Sequence, residues 1–223
     1  MDDEFSKRFV GWSFVAAAVM LWAGWVLLPV KIGTYFEPAD FARIHAQFQL
    51  WIWLFRVHIF GMVLTVVALV ALGSHLAHSS ARVVLWPGIA VAAAGTIVGA
   101  LGSAFYYHHG AWGALETAGR SAAGLRAFVD SLLIDTEYVT CLVRFGRVFS
   151  GLGLLIVGFA LVKWRIMASG IGLAAAVLGL AAMALTMLLP DKMHLYWPLF
   201  HLQAAWLAVT GIAVLRGGLK GTT

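Results

Sequence analysis

Six long apolar blocks dominate the sequence and constrain its fold more than any other feature. They lie at about residues 9–30, 48–73, 83–106, 143–163, 167–189 and 195–215. Each is long enough to cross a hydrocarbon layer about 30 Å thick as an α-helix, which rises about 1.5 Å per residue. Backbone amides in lipid must be bonded within the segment, and continuous apolar runs achieve this as helices. The sequence therefore predicts an all-α polytopic membrane protein, with residues 1–223 forming one transmembrane helical domain.

The composition indicates that most of the protein surface faces lipid rather than water. Hydrophobic residues make up 62% of the chain and charged residues only 11%, whereas soluble domains carry about 25% charged residues. The basic residues that give the formal charge of +5 mostly punctuate the block ends, which suits anionic headgroups and not nucleic acid. A single cysteine, Cys141, excludes an internal disulfide and a multi-cysteine metal cluster.

Basic residues near the block ends also predict the orientation of the chain. With the first block entering from the cytoplasm, the short cytoplasmic segments carry Lys7, Arg8, Arg82, Lys163, Arg165, Arg216 and Lys220. The positive-inside rule then favours both ends in the cytoplasm, in the inner (plasma) membrane of a cell. The first block lacks a small-residue cleavage site and is interpreted as the first spanning helix, not as a signal peptide.

The segment from Ala111 to Val139 is the largest piece outside the apolar blocks. Its apolar residues recur at helical spacing and are opposed by three charged residues: Leu125, Phe128, Val129, Leu132 and Leu133 against Arg126, Asp130 and Asp135. This pattern predicts an amphipathic helix on the outer face, in the third loop. Such a helix would either cap a site beneath it or serve as a connector.

Titratable side chains at or inside the blocks are the candidate functional residues, because ionisable groups in a membrane are costly. Within or at the ends of the blocks lie Arg56, His58, Arg144, Arg147, His194 and His201, with His45, His108 and His109 at outer ends. Neutral imidazoles on facing helices suit haem b, whose iron takes one or two histidine ligands. The arginines suit the haem propionates, because guanidinium pairs bidentately with carboxylate.

A depth count selects one histidine pair as the preferred axial ligands. His58 lies fifteen residues before the inner end of its block at Gly73, and His201 lies fifteen residues before Arg216. Both blocks run inward, so the two imidazoles are predicted at the same level. His45 lies thirteen residues before His58, close to the spacing that puts two histidines on one helix face, and that spacing would allow a second haem. The partner of His45 would then be His194, His108 or His109.

Other interpretations of these histidines stay open. A copper or zinc site made from the outer histidines is one alternative. Hydrogen bonding between helices is another, and a substrate pocket without metal is a third.

The segment Arg43-Ile-His45-Ala-Gln47-Phe-Gln-Leu-Trp51-Ile-Trp53 resembles the second helix of the haem-copper oxidase superfamily, and nitric oxide reductases most. The resemblance implies that His45 binds a low-spin haem and that a histidine on a late helix, His201, completes the pair. It covers only this segment and carries no three-histidine metal site, so reduction of oxygen or nitric oxide does not follow from it.

A second set of residues is similar to the styrene oxide isomerase family, small membrane enzymes that use haem as a Lewis acid. The residues concerned are Phe5, Lys7, Arg8 and Gly11, then Ala42-Arg43-Ile-His45, then Phe105-Tyr106. This resemblance implies that His45 binds iron and that Tyr106 lines the substrate pocket.

The leading functional hypothesis from sequence is a b-type haem membrane protein that transfers electrons, alone or as a subunit of a respiratory complex. A quinone or a redox protein would be its partner, and the chain would work as a homo-oligomer or in a larger complex. The first alternative is a haem-dependent enzyme for a lipophilic small molecule, an oxidoreductase or an epoxide isomerase. The second is a transporter or assembly subunit without haem. Two histidine ligands would indicate electron transfer, and one would indicate substrate chemistry.

Overall fold

A computed structural model describes residues 3–190, 192 and 195–219, and eight α-helices lie in this part of the chain. They are α1 Asp3–Val26, α2 Pro38–Ala46, α3 Phe48–His75, α4 Arg82–Glu116, α5 Ala122–Ser131, α6 Leu133–Lys163, α7 Ser169–Leu188 and α8 Tyr196–Leu215. Six of them (α1, α3, α4, α6, α7 and α8) are long and apolar enough to span a membrane. The predicted all-α polytopic fold is confirmed.

The six spanning helices form a closed ring in which each packs against the next along the chain. The order of contacts is α1, α3, α4, α6, α7 and α8, and α8 returns to pack on α1. Successive spans run in opposite directions, so the first and last described residues lie on one side, here called the terminal side. The opposite side carries α2 and α5 and is called the loop side. The cytoplasmic orientation of the terminal side stays a prediction.

The helices α4 and α6 extend well beyond the apolar blocks that predicted them. The prediction ended the third block at residue 106 and began the fourth at 143, whereas α4 continues to Glu116 and α6 begins at Leu133. Hydropathy marks where a helix leaves the lipid, not where its backbone hydrogen bonds end. Both helices are therefore longer than a membrane crossing requires, and their additional turns lie on the loop side.

The amphipathic helix predicted in the third loop is present as α5. Ser121 caps its first turn by accepting a hydrogen bond from the Gly124 amide at 3.2 Å. Phe128, which is buried, packs edge-on against Phe41 of α2 with ring centroids 5.4 Å apart. Leu133, assigned to the same apolar face, instead begins α6 and is 51% exposed. The helix therefore packs on α2 at the loop side.

Helix α2 was not predicted as a separate element. The capping box between Glu37 and Asp40 and the proline at its first turn start the helix, and Gln47 ends it. The sequence predicted that this segment continues into the spanning helix that follows. As a result, His45 lies in α2 and not in α3.

Reciprocal glycines bring α1 and α3 into backbone contact. A Cβ atom added at Gly24 of α1 would lie 2.5 Å from the His58 amide nitrogen, and one added at Gly61 of α3 would lie 2.5 Å from that of Leu21. Lipid supplies no hydrophobic force between helices, so close packing at small residues is a main source of association. This contact fixes His58 against α1.

A buried hydrogen bond joins the loop after α1 to the start of α3. Trp51 is fully buried, and its indole Nε1–H donates to the Val30 carbonyl at 3.0 Å. We expect Trp51→Phe to lower the free energy of unfolding by about 1–3 kcal/mol, because it leaves a buried carbonyl unsatisfied. Trp53→Phe is the control, because Trp53 is 60% exposed and its loss should cost no more than about 0.5 kcal/mol. Equilibrium unfolding in mixed micelles measures both, and equal effects would contradict this role for the Trp51 bond.

Candidate intramembrane ligand site

A cavity of about 440 Å³ lies inside the helix ring. Its described lining comes from α1, α3, α4, α6 and α8, together with residues 31–34 of the loop after α1. This volume falls in the range of pockets that hold small-molecule ligands, about 300–1,000 Å³. The fold therefore provides room for a ligand at membrane depth.

The cavity lining is amphipathic along the membrane normal. Toward the terminal side it is largely apolar, with Met62, Leu69, Leu154, Ala204 and Leu207. Toward the loop side it carries cationic and hydroxyl side chains, including Lys31, Tyr106, Thr140, Arg144, Arg147 and Tyr196. Such a lining suits a ligand with an apolar body and an acidic or polar end.

His58 lies in the cavity wall and is oriented by the backbone of α1. His58 is only 6% exposed, and its Nδ1 lies 3.2 Å from the Leu21 carbonyl oxygen. A carbonyl only accepts hydrogen bonds, so Nδ1 carries the proton and the neutral ring keeps its lone pair on Nε2. Metal-ligating histidines are typically oriented by this kind of hydrogen bond. The structure thus places the predicted ligand in a suitable tautomer.

Aromatic rings surround the His58 imidazole. The rings of Trp25, Phe200 and Phe55 have centroids 5.2, 6.0 and 6.4 Å from that of His58. Trp25 also packs on Trp197, at 5.5 Å. The cavity position of Trp25 and Trp197 could not be predicted from sequence, because tryptophans near helix ends are typical of interfacial belts.

His201 lies at the same depth as His58 but in a different environment. Its Nδ1 accepts a hydrogen bond from the Trp22 indole at 3.1 Å, whereas His58 bonds to Leu21. The two imidazoles therefore contact consecutive residues of α1, which agrees with the depth count. However, His58 lines the cavity, whereas His201 is absent from the described cavity lining. An indole only donates, so the neutral His201 ring carries its proton on Nε2.

The other histidines that the structure describes are absent from the cavity lining. His45 is exposed on α2, so the expected common helix face with His58 was wrong. His108 and His109 lie on the loop-side extension of α4, with ring centroids 5.1 Å apart. The His109 Nδ1–H donates to the Phe105 carbonyl at 3.0 Å. His194 lies outside the described residues.

The structure provides no evidence for a multi-ligand copper or zinc site in the part of the chain that it describes. There, no three His, Cys, Asp or Glu side chains group closely enough to hold a metal ion. A haem site does not need such a group, because protein ligands occupy at most two positions on the iron.

Two of the three arginines predicted to bind propionates line the cavity. Arg144 and Arg147 are one turn apart on α6. The Arg147 guanidinium carbon lies 4.3 Å from the centroid of the Tyr196 ring, a cation–π contact. Arg56 is absent from the described lining and lies exposed on the outer surface of α3. The sequence does not show which face of each helix turns toward the cavity, so the lining arginines could not be distinguished from Arg56.

Tyr106 lines the cavity beneath the loop that covers its loop side. Its hydroxyl donates to the Thr34 carbonyl at 2.8 Å, and the Thr140 hydroxyl lies 3.2 Å away and can donate to it. Tyr106 thereby joins α4 to both the covering loop and α6. The pocket position that the isomerase resemblance implied for Tyr106 agrees with this location.

Comparison with known proteins finds no matching family model, curated protein or solved structure. Both family resemblances therefore stay predictions.

Proposed function

We propose that the chain binds haem b in the intramembrane cavity, with His58 as the histidine that would hold the iron. The observation that carries this proposal is the His58 imidazole in the cavity wall, with Nδ1–H bonded to Leu21 and its Nε2 lone pair left for a ligand. Imidazole nitrogen is the commonest protein ligand of haem iron in globin-type and peroxidase-type sites.

The chemistry of the lining supports the fit of haem to this cavity. A porphyrin has a large apolar face and two carboxylates at one edge. The apolar walls match the first, and Arg144 and Arg147 at the loop side match the second. The close packing of Gly24 against the His58 backbone keeps the ligand residue rigid relative to α1.

The hydrogen bonds of His58 and His201 favour ligation of the iron by His58 alone over ligation by both residues. His201 uses its Nδ1 to accept from Trp22 and is not part of the described lining. An iron held by His58 alone would be able to bind a small lipophilic molecule, which supports chemistry on such a molecule more than electron transfer alone. When bound, haem supplies a Lewis-acidic and redox-active iron. The proposed class is therefore a haem-dependent membrane enzyme, an oxidoreductase or an isomerase.

The residues of this chain would orient the bound molecules and exclude water. The aromatic rings around His58 keep water from the ligand side, which strengthens electrostatic interactions inside the cavity. Tyr106 holds the covering loop by its bond to Thr34. Tyr196, beside Arg147, places a second hydroxyl near the cationic part of the wall.

The test of the proposal is the absorption spectrum of protein expressed with ample haem precursor and purified in detergent. We expect a Soret band at about one haem per chain, determined by pyridine haemochrome assay. Protein without a Soret band, which also fails to gain one on titration with haemin, would contradict the proposal.

The arginines provide a more specific expectation. Arg147→Gln should weaken haem retention about tenfold, because a charge-assisted hydrogen bond contributes about 1.5–3 kcal/mol. Arg56→Gln is the matched control, because Arg56 is absent from the described lining, and it should leave retention unchanged. Transfer of haem to apomyoglobin measures both. A larger loss in Arg56→Gln than in Arg147→Gln would show that the propionate side of the site is misassigned.

A further inference from the structure

An arginine lies in the middle of the lipid-facing stripe of α3. Trp53, Phe60 and Val63 form this stripe and are 60%, 60% and 49% exposed. Arg56, three residues after Trp53 and four before Phe60, is also exposed. It lies eight residues beyond the start of α3, about 12 Å along the helix axis. A charged group on such a face is costly in lipid.

The Arg56 side chain is held in place by two aromatic residues. Its Nε–H donates to the Tyr107 hydroxyl of α4 at 2.8 Å. Its guanidinium carbon lies 5.1 Å from the centroid of the Trp53 ring and 5.5 Å from that of Tyr107. These contacts orient the guanidinium at the seam between α3 and α4.

The terminal amino groups of Arg56 require an acceptor that the described residues do not supply. Among those residues, the hydrogen bond to Tyr107 uses only Nε. A guanidinium has four further N–H donors on its terminal nitrogens. Arg56 lies in the loop-side third of α3, and a long arginine side chain there can extend toward the membrane surface, where lipid phosphates are abundant anionic acceptors.

We propose that Arg56, Tyr107 and Trp53 form a binding site for the phosphodiester of an anionic phospholipid. The terminal nitrogens of arginine match two phosphate oxygens bidentately. Trp53 and Phe60 offer apolar surface to the acyl chains on either side. A headgroup without its own cation is favoured, because choline or ethanolamine would oppose the guanidinium. This site is separate from the cavity and does not depend on haem binding.

The experiment is native mass spectrometry of the detergent-purified, delipidated full chain with equal amounts of phosphatidylglycerol and phosphatidylcholine. We expect wild type to retain about fivefold more phosphatidylglycerol, as about 1 kcal/mol per basic residue implies. Arg56→Gln should remove this preference. Arg82→Gln, at an exposed basic position at the start of α4, should preserve it.

Additional variants keep the test decisive. Tyr107→Phe retains the ring but removes the hydroxyl that orients Arg56, and it should reduce the preference even if Arg56→Gln fails to fold. Equal retention of the two lipids by wild type, or an unchanged preference in both Arg56→Gln and Tyr107→Phe, would overturn the proposal. Dissociation of a dimer by Arg56→Gln, with no lipid preference in wild type, would also overturn it and assign this face to a contact between two copies.

Discussion

Replacement of His58 by Ala is expected to abolish haem retention by the purified protein. The substitution removes the one ring nitrogen in the described cavity lining that is oriented for ligation, since Leu21 holds the imidazole through Nδ1. Changes to the hydrogen-bond partners of metal ligands already cost about 10–100-fold in affinity. Loss of the ligand itself should therefore exceed about 100-fold. Haem content by pyridine haemochrome assay, normalised to protein, gives the result.

His201→Ala is the matched control for this experiment. His201 lies at the same depth as His58 and contacts the next residue of α1. Its Nδ1, however, accepts a hydrogen bond from the Trp22 indole. Its replacement should leave haem content within about twofold of wild type. In addition, His58→Gly should regain a Soret band when imidazole is added, because the added base can fill the vacated space. Loss of haem in His201→Ala but not in His58→Ala would contradict the assignment.

Replacement of Gly24 by Ala is expected to destabilise the fold by about 1–3 kcal/mol or more. The added methyl group would lie 2.5 Å from the His58 amide nitrogen, 2.8 Å from its Cα and 2.8 Å from the Leu54 carbonyl oxygen. These are backbone atoms of α3, so a side-chain rotation cannot relieve the clash. The two helices must separate, which also displaces His58 from Leu21. Equilibrium unfolding in mixed micelles measures the loss.

Gly170→Ala is the control for the change of residue type. A Cβ atom at Gly170, in the first turn of α7, meets nothing within 4 Å. There, alanine should be neutral or stabilise by about 0.4–1 kcal/mol, because it restricts the unfolded chain. If Gly24→Ala behaved like Gly170→Ala, close backbone contact between α1 and α3 would be ruled out. Haem content of the two variants shows whether the displacement reaches the site.

The spanning helices could be predicted because lipid imposes one simple requirement on them. Each needs about twenty apolar residues, and the six blocks of the sequence supply them. Their extensions outside the membrane could not be predicted in this way. Residues 107–116 and 133–142 are helical in the structure, although they include polar and charged side chains that end the apolar signal.

The short helix α2 was missed because its sequence continues into an apolar run. Only the capping box at Glu37 and the break at Gln47 separate it from α3. This one break moved His45 from a spanning helix to an exposed surface. A helical-spacing argument that crosses such a break fails, however regular the spacing.

The depth of the candidate ligands was predictable, but their direction was not. Counting residues along two helices placed His58 and His201 at one level, and their bonds to Leu21 and Trp22 agree with this. Which side of each helix faces the cavity depends on the packing order and rotation of the helices. These are determined by contacts such as Gly24 against His58, which hydropathy does not reveal. The same holds for the arginines: Arg147 lines the cavity inside the helix ring, whereas Arg56 lies on its outer surface.

The most direct measurement is the spectrum of the reduced wild-type protein with and without carbon monoxide. If His58 alone holds the iron, a coordination position would stay open, so we expect a Soret band that shifts completely when carbon monoxide is added. A low-spin spectrum that does not change on addition of carbon monoxide in wild type, but does change in His201→Ala, would contradict ligation by His58 alone. It would support ligation by both His58 and His201. A purified protein with no Soret band at all would contradict haem binding itself.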